Sequence, residues 1–144
     1  MADAADDLID SLERLAVGSV AITARAITAA GADLTFAQWR VLLIVGDRVE
    51  GATVSEIAAR IGAHASPASR LVSRLKRHGV VNTGKDDRDG RVTRVTLTTI
   101  GRTLRDRVLE RRREDLAVVL EAAGLTPAVA PALARLAASF ERFR

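Results

Sequence analysis

The sequence predicts a mainly α-helical protein carrying a small two- or three-stranded antiparallel ribbon. Three observations lead there. Apolar residues recur at three- and four-residue steps through most of the chain. The candidate core is aliphatic, since the 144 residues include one Trp, three Phe and no Tyr. Only between residues 80 and 97 does the period drop to two, around the charged stretch "GKDDRDG".

Taken in order, residues 6–30 place Leu8, Leu12, Leu15, Ser19, Ile22, Ala26 and Ala30 on one stripe, closed by Gly31. In "LTFAQWRVLLIVGD", Thr35 with Gln38 three positions on is a capping box that starts a second helix running to about Asp47. Its apolar positions lie nearly all round, so it is expected at the centre of the core. Thr53 and Glu56 form a second capping box, for a short helix with Ile57, Ala58 and Ile61 inward and Gly62 as its stop. Ser66 before Pro67 suits the start of a fourth helix, with His64 as an alternative start one turn earlier. That helix turns Ala68, Leu71, Val72 and Leu75 inward, and Gly79–Val80 fits a Schellman ending. Strands are expected over 80–83 and 92–97. Thr98 or Thr99 opens a long fifth helix that Gly124 ends, and Thr126-Pro127 opens a sixth with Val129, Leu133, Leu136, Phe140 and Phe143 on one face. The whole reads as one domain, 1–144.

Charge is distributed unevenly along it. The net charge is +4, yet residues 1–59 carry 4 basic and 9 acidic side chains while residues 60–94 carry 9 basic and 3 acidic. Of the 22 basic residues only Lys76 and Lys85 are lysine. The absence of Cys excludes disulfides, zinc–thiolate sites and thiol redox sensing. No apolar run reaches the roughly 20 residues that span a bilayer, and the first ten residues are acidic where a signal peptide is basic, so no membrane partner and a cytoplasmic location are expected.

Two short helices, 54–61 and about 66–78, separated by a small-residue turn, have the arrangement of a helix-turn-helix. The second has a spare polar face of Ser66, Ser69, Arg70, Ser73, Arg74 and Arg77. An ordinary amphipathic surface helix would explain that stripe, but such a helix carries both signs of charge, and no Asp or Glu occurs between Glu56 and Asp86. The reading preferred here is a face for DNA: small Ser side chains allow close approach, and Arg reaches phosphates or guanine edges. His64 and Pro67 flank the face. The ribbon that follows is then a wing, with Arg88 and Arg91 entering a minor groove or gripping phosphate. Asp86, Asp87 and Asp89 suit DNA poorly unless at least one holds an Arg or caps the turn; Asp86, Asp89 and Gly90 are the expected shapers of the tip. A self-neutralising tip that touches nothing is the plain alternative.

The segment from "LTFAQWRVLLIV" through "SRLVSRLKRHGVV", the wing signature Asp-x-Arg-x-x-Arg at Asp86, Arg88 and Arg91, and "LTTIGRTL" resemble the MarR (multiple antibiotic resistance regulator) family. The likeness is close over about residues 34–104. It implies a winged helix-turn-helix lobe, 34–97, flanked by dimerisation helices 6–31 and 98–143. By that resemblance, residues 66–77 read the major groove of a pseudo-palindromic double-stranded site, the wing arginines contact the minor groove, and a small aromatic or anionic effector binds between the dimer helices and the reading lobe. Leu15, Ser19, Trp39, Leu43 and Leu104 could border such a pocket by position, although each also suits the core. Gly90, where the family usually has a charge, and the apolar Ala63-His64-Ala65 are departures that bear on base preference. The apolar stripes at both ends of the chain independently call for a second copy.

Other chemistry fails on residue type. "GVVNTGK" at 79–85 is followed by Asp86 and a strand where a phosphate loop needs Ser or Thr and a helix. "KDDRDG" puts Lys85 at the first ligand position of a calcium loop. Asp3, Asp6, Asp7 and Asp10 suit a helix N-terminus better than a metal. His64 and His78 lie too far apart for one helix face. No metal, cofactor or catalytic group is expected, and the chain reads as a regulator, most simply a repressor, rather than an enzyme. A protein-interaction module or a nonspecific nucleic-acid binder is the alternative.

Overall fold

A computed structural model describes residues 2–142, with Phe143 of the expected terminal stripe lying outside them. The chain divides into two compact units at Arg112–Arg113. The first holds α1 (Ala2–Ala29), α2 (Phe36–Gly46), β1 (Ala52–Thr53), α3 (Val54–Ile61), α4 (Ala65–Arg77), β2 (Val81–Lys85), β3 (Thr93–Leu97) and the start of α5 (Thr99–Ala122). The second holds the rest of α5, a 3₁₀ turn at Pro127–Val129 and α6 (Ala130–Glu141).

In the first unit α2 is the hub. Trp39, Val41, Leu42 and Val45 are buried on it, which is why its sequence is apolar nearly all round. Around them pack Ala26 and Ile27 of α1, Ile57 of α3, Ala68, Val72 and Leu75 of α4, Val81 and Val95 of the sheet, and Val108 of α5. The sheet is antiparallel in the order β1-β3-β2. Val81 pairs with Leu97 and Lys85 with Thr93, so alternate residues Val81, Val95 and Leu97 turn to the core. The third strand, β1, is two residues whose pairing of Ala52 with Val95 ties the start of α3 to the wing.

Both expected capping boxes form. Gln38 N donates to Thr35 Oγ1 at 3.3 Å while Thr35 N donates to Gln38 Oε1 at 2.8 Å. Glu56 N and Thr53 N make the same reciprocal pair at 3.1 and 2.7 Å. The Thr53 amide, more than the Arg48 cation beside it, holds the Glu56 carboxyl below its usual range. Thr35→Ala removes one acceptor from the start of the hub helix and is expected to cost about 1 kcal/mol. The check is a lower urea midpoint at unchanged slope.

Three expectations are corrected. α1 begins at Ala2, a turn before residue 6. The N-cap of α4 is the extended His64, the earlier of the two expected starts, and not Ser66. Ser66 and Pro67 are already helical, and Pro67 falls at the third position, where the missing N–H has no partner within the helix to lose. The hairpin runs longer than 80–83 allows, with β2 reaching Lys85, because Asp86 N donates to Val92 O at 3.0 Å and closes the tip. At the other end of α4 the Schellman ending is present: Gly79 has φ 70°, its N–H donates to Lys76 O, and Val80 N donates to Leu75 O at 3.2 Å.

In the second unit no side chain of residues 113–142 is fully buried. Val118, Leu125, Leu133 and Phe140 are exposed, Phe140 by 57%.

Candidate nucleic-acid interface

α4 buries Ala68, Val72 and Leu75, and at about 100° per residue the opposite pole is Ser66, Arg70, Ser73 and Arg77. All four are exposed, as are His64, Pro67, Ser69 and Arg74 on the flanks, so the structure brings the eight expected helix residues to one surface. α3 holds that surface in place. Arg40 of α2 donates to the carbonyls of Arg60 and Ile61 at α3's end, and Arg60 in turn pairs with Asp47 at 2.6 Å.

The arginines separate into two populations. Arg40, Arg60, Arg94, Arg102, Arg105 and Arg112 each donate to a carbonyl, hydroxyl or carboxylate of the protein. The side chains of Arg70, Arg74, Arg77, Arg88 and Arg91 enter no hydrogen bond or ion pair of the described structure. Arg14, Arg25, Arg107, Arg113 and Arg135 are likewise without such a bond, so what marks the expected DNA face is the clustering of five unbonded arginines on α4 and the wing. A cation that stabilises the fold has its donors taken up by the fold, whereas a clustered array with its donors free is suited to an external polyanion.

The wing tip explains its own carboxylates. Asp86 is only 7% exposed. Its Oδ1 accepts from Arg88 N at 2.9 Å and Asp89 N at 3.3 Å, and its Oδ2 takes the guanidinium of Arg94 across the hairpin. The Arg88 amide first, then Arg94, hold this carboxyl below the ordinary range against the opposing effect of burial. Asp89 Oδ1 accepts from Arg91 N at 2.9 Å. Two Asp side chains thus tie down the backbone amides of the two exposed arginines and leave their guanidinium groups free. Gly90 has no left-handed φ and no neighbour within 4 Å of a Cβ placed there, so the bend does not require glycine, contrary to expectation; the carboxylates shape it. Asp87 accepts no hydrogen bond among the described residues.

Sequence reasoning misses two residues. Arg94 reads there as a strand residue only; it lies on the face of β3 opposite Val95 and Leu97, where the hairpin register sets it toward Asp86. Lys76 donates to Thr83 Oγ1 at 2.8 Å and joins α4 to β2.

A cavity of about 450 Å³ opens beside this lobe, lined by residues 30–34, His78, Ile100, Leu104 and Arg107 among others. Of the expected pocket residues only Leu104 lines it. Leu15 is 63% exposed, Ser19 accepts from Arg112 Nη2 at 3.0 Å, Trp39 is buried in the core, and Leu43 packs half-buried against it. Among the described residues, no three of His, Asp or Glu come together as a metal site would require, and no single helix is long and apolar enough to cross a membrane.

Comparison with known proteins agrees with this geometry. The sequence profile of the MarR family matches residues 32–92. The HTH-type transcriptional repressor IacR of Pseudomonas putida is 38% identical over 82 residues, which are 57% of this chain and 48% of IacR, so the chain spans about half the length of the curated relative it matches. A MarR-family transcriptional regulator from Rhodococcus sp. RHA1 superposes with a TM-score of 0.77 at 25% identity, over 94% of this chain and 93% of that one. CouR of Rhodococcus jostii RHA1, solved bound to p-coumaroyl-CoA, gives 0.78 at 25% identity over 94% and 92%. The profile covers α4 and most of the hairpin, the superpositions cover the flanking helices, and on these grounds the chain is similar to the MarR family and shares the fold of its regulators.

Proposed function

We propose that the protein is a cytoplasmic, homodimeric, sequence-specific DNA-binding repressor, and not an enzyme, whose release from DNA is controlled by a small effector. The observation that carries this reading is the set of five arginines on α4 and the wing that the fold leaves without counter-ions. The dimer is supported by apolar surface that α1 leaves open at Leu8, Leu15 and Val17, and by the open face of α6 at Leu133 and Phe140. A second copy would cover both and present two reading helices to a pseudo-palindromic site about one helical turn apart. The name of IacR supports repression.

For the effector, the cavity has a suitable position. One wall is His78, which caps the C-terminus of the reading helix, and another is the start of α5. Arg107 beside Ile100 and Leu104 suits an amphipathic anion, and CouR's ligand is an aromatic acyl thioester. A ligand seated there would press on the end of α4 and alter the separation of the two reading helices.

The test is selection of random duplex DNA on the purified protein, followed by affinity for the enriched site across a salt series. A two-fold symmetric consensus with a steep negative salt slope is expected. Salt-sensitive binding without a consensus would leave a nonspecific binder. Absence of binding would favour a protein-interaction module, which the outward face of α4, with Pro67 as its one apolar residue, disfavours.

A further inference from the structure

Resting on that DNA-reading assignment, we infer that Arg70 is the residue through which α4 discriminates between bases, and that it reads guanine. Each operator half-site then carries one obligatory G·C pair beneath the middle of the helix. The argument begins with the outward pole, Ser66, Arg70, Ser73 and Arg77, fixed by the burial of Ala68, Val72 and Leu75.

A reading helix meets base edges with its N-terminal half. In that half the outward and flanking side chains are Ser66, Pro67, Ser69 and Arg70, and only Arg70 has length and a bidentate fork. The repertoire of α4 is otherwise narrow. It has no Asn or Gln, so the bidentate pairing with adenine N6 and N7 cannot form. It has no Asp or Glu, so no carboxylate accepts from cytosine N4. A Ser hydroxyl both donates and accepts, and therefore discriminates poorly.

What remains is Arg to guanine O6 and N7, the commonest specific pairing in the major groove. Arg70 is exposed and makes no bond within the described structure, so its guanidinium is free to swing to a base. Arg77 lies almost two turns further on, toward the end where the helix leaves the groove, and Arg74 sits off the outward pole; both suit phosphates. Lys76 is occupied by Thr83. Preference for A·T pairs then comes from groove width read by Arg88 and Arg91, or from thymine-methyl contact by the exposed Ala65 and Pro67, and not from hydrogen bonding by α4.

The experiment repeats the selection with the full-length protein, Arg70→Ala and Arg70→Lys. Each variant is checked for an unchanged melting temperature, as an exposed side chain without partners predicts. The wild type should enrich a symmetric site with one G·C pair per half-site, and replacing that pair should weaken binding about ten- to a hundredfold. In Arg70→Ala the same replacement should change affinity by no more than about twofold. Lysine, a point charge without the fork, should restore affinity but only part of the preference. 7-Deazaguanine at that base should weaken the wild type and leave Arg70→Ala indifferent.

Three results would overturn the inference. Arg70→Ala could weaken all sequences equally and lower the salt slope by about one, which is the signature of a phosphate contact. Selective binding to a consensus without a required guanine would overturn the inference alone. Absence of any consensus would overturn it together with the reading on which it rests.

Discussion

Asp86→Ala is expected to weaken binding to the selected operator roughly ten- to a hundredfold, although Asp86 itself is buried. The carboxylate fixes three groups at once: the amides of Arg88 and Asp89 and the guanidinium of Arg94. Without it the tip loses its local template, and Arg94, only 26% exposed, is left without its counter-ion. Arg88 and Arg91 then sample many orientations, and each arginine that leaves the DNA weakens binding by on the order of 1 kcal/mol. Apart from β3, which carries Arg94, the core elements share none of these bonds, so the thermal transition should move far less than the affinity. Asp86→Asn separates the two roles. It keeps an acceptor for the turn amides but gives Arg94 no charge, so an affinity between wild type and Asp86→Ala is expected. An affinity for Asp86→Ala equal to wild type would show that the wing is not part of the interface.

The pH dependence follows from the same bonds, with its sign fixed by the direction of the shift. The Asp86 carboxyl is held below the ordinary carboxylate range in the folded protein. Its contribution is therefore fully present above the unfolded value near 4 and is lost as pH falls through the lower folded value. Wing-dependent binding should be flat from neutral pH down to the ordinary carboxylate range and should weaken only in stronger acid. Fluorescence anisotropy with a labelled operator, comparing wild type with Arg88→Ala, isolates the wing's share.

Much of this was legible because the relevant physics is local. Capping boxes at Thr35 and Thr53 and the Schellman stop at Gly79 each depend on residues within one turn, and each formed as read, whereas the strand announced by the change of period runs on to Lys85. The cation-rich face of α4 was legible for the same reason, since burial of Ala68, Val72 and Leu75 fixes its opposite. What escaped the reading depends on pairing between distant residues. Arg94 meets Asp86 only because Gly84 stands opposite Arg94 in the hairpin register, which alternation alone does not reveal. The cavity escaped for a related reason. It is assembled from the α1–α2 connection, the end of α4 and the start of α5, three segments whose proximity no periodicity encodes. Thr98 shows how local and distant terms combine. Its hydroxyl accepts from Gly101 N at 3.0 Å, as a cap should, and also donates to Gly79 O at 2.8 Å, joining α5 to the end of the reading helix.

That joint supplies the second large effect: Gly101→Ala and Gly18→Ala, the same change in two helices, should alter stability in opposite directions. Alanine in a helix ordinarily gains roughly 0.5–1 kcal/mol over glycine. At Gly18 a Cβ would meet nothing within 4 Å, so that gain is expected in full. At Gly101 a Cβ would stand 2.0 Å from the carbonyl oxygen of Val80 and 2.9 Å from its carbon. Both are backbone atoms, and the same oxygen already accepts from Thr98 N at 3.1 Å, so it cannot swing aside as a side chain would. Either α5 lifts off or the Gly79–Val80 link shifts, and overpacking of this kind costs about 1–3 kcal/mol, more than the helix gain. The displaced link follows directly on the Schellman ending of α4, so operator affinity should fall along with stability. Urea unfolding at one fixed protein concentration compares the two variants, because a dimer's stability varies with concentration. Stabilisation by both would show that α5 can withdraw from Val80 at little cost, and Thr98 would then not be a rigid joint between α5 and the reading helix.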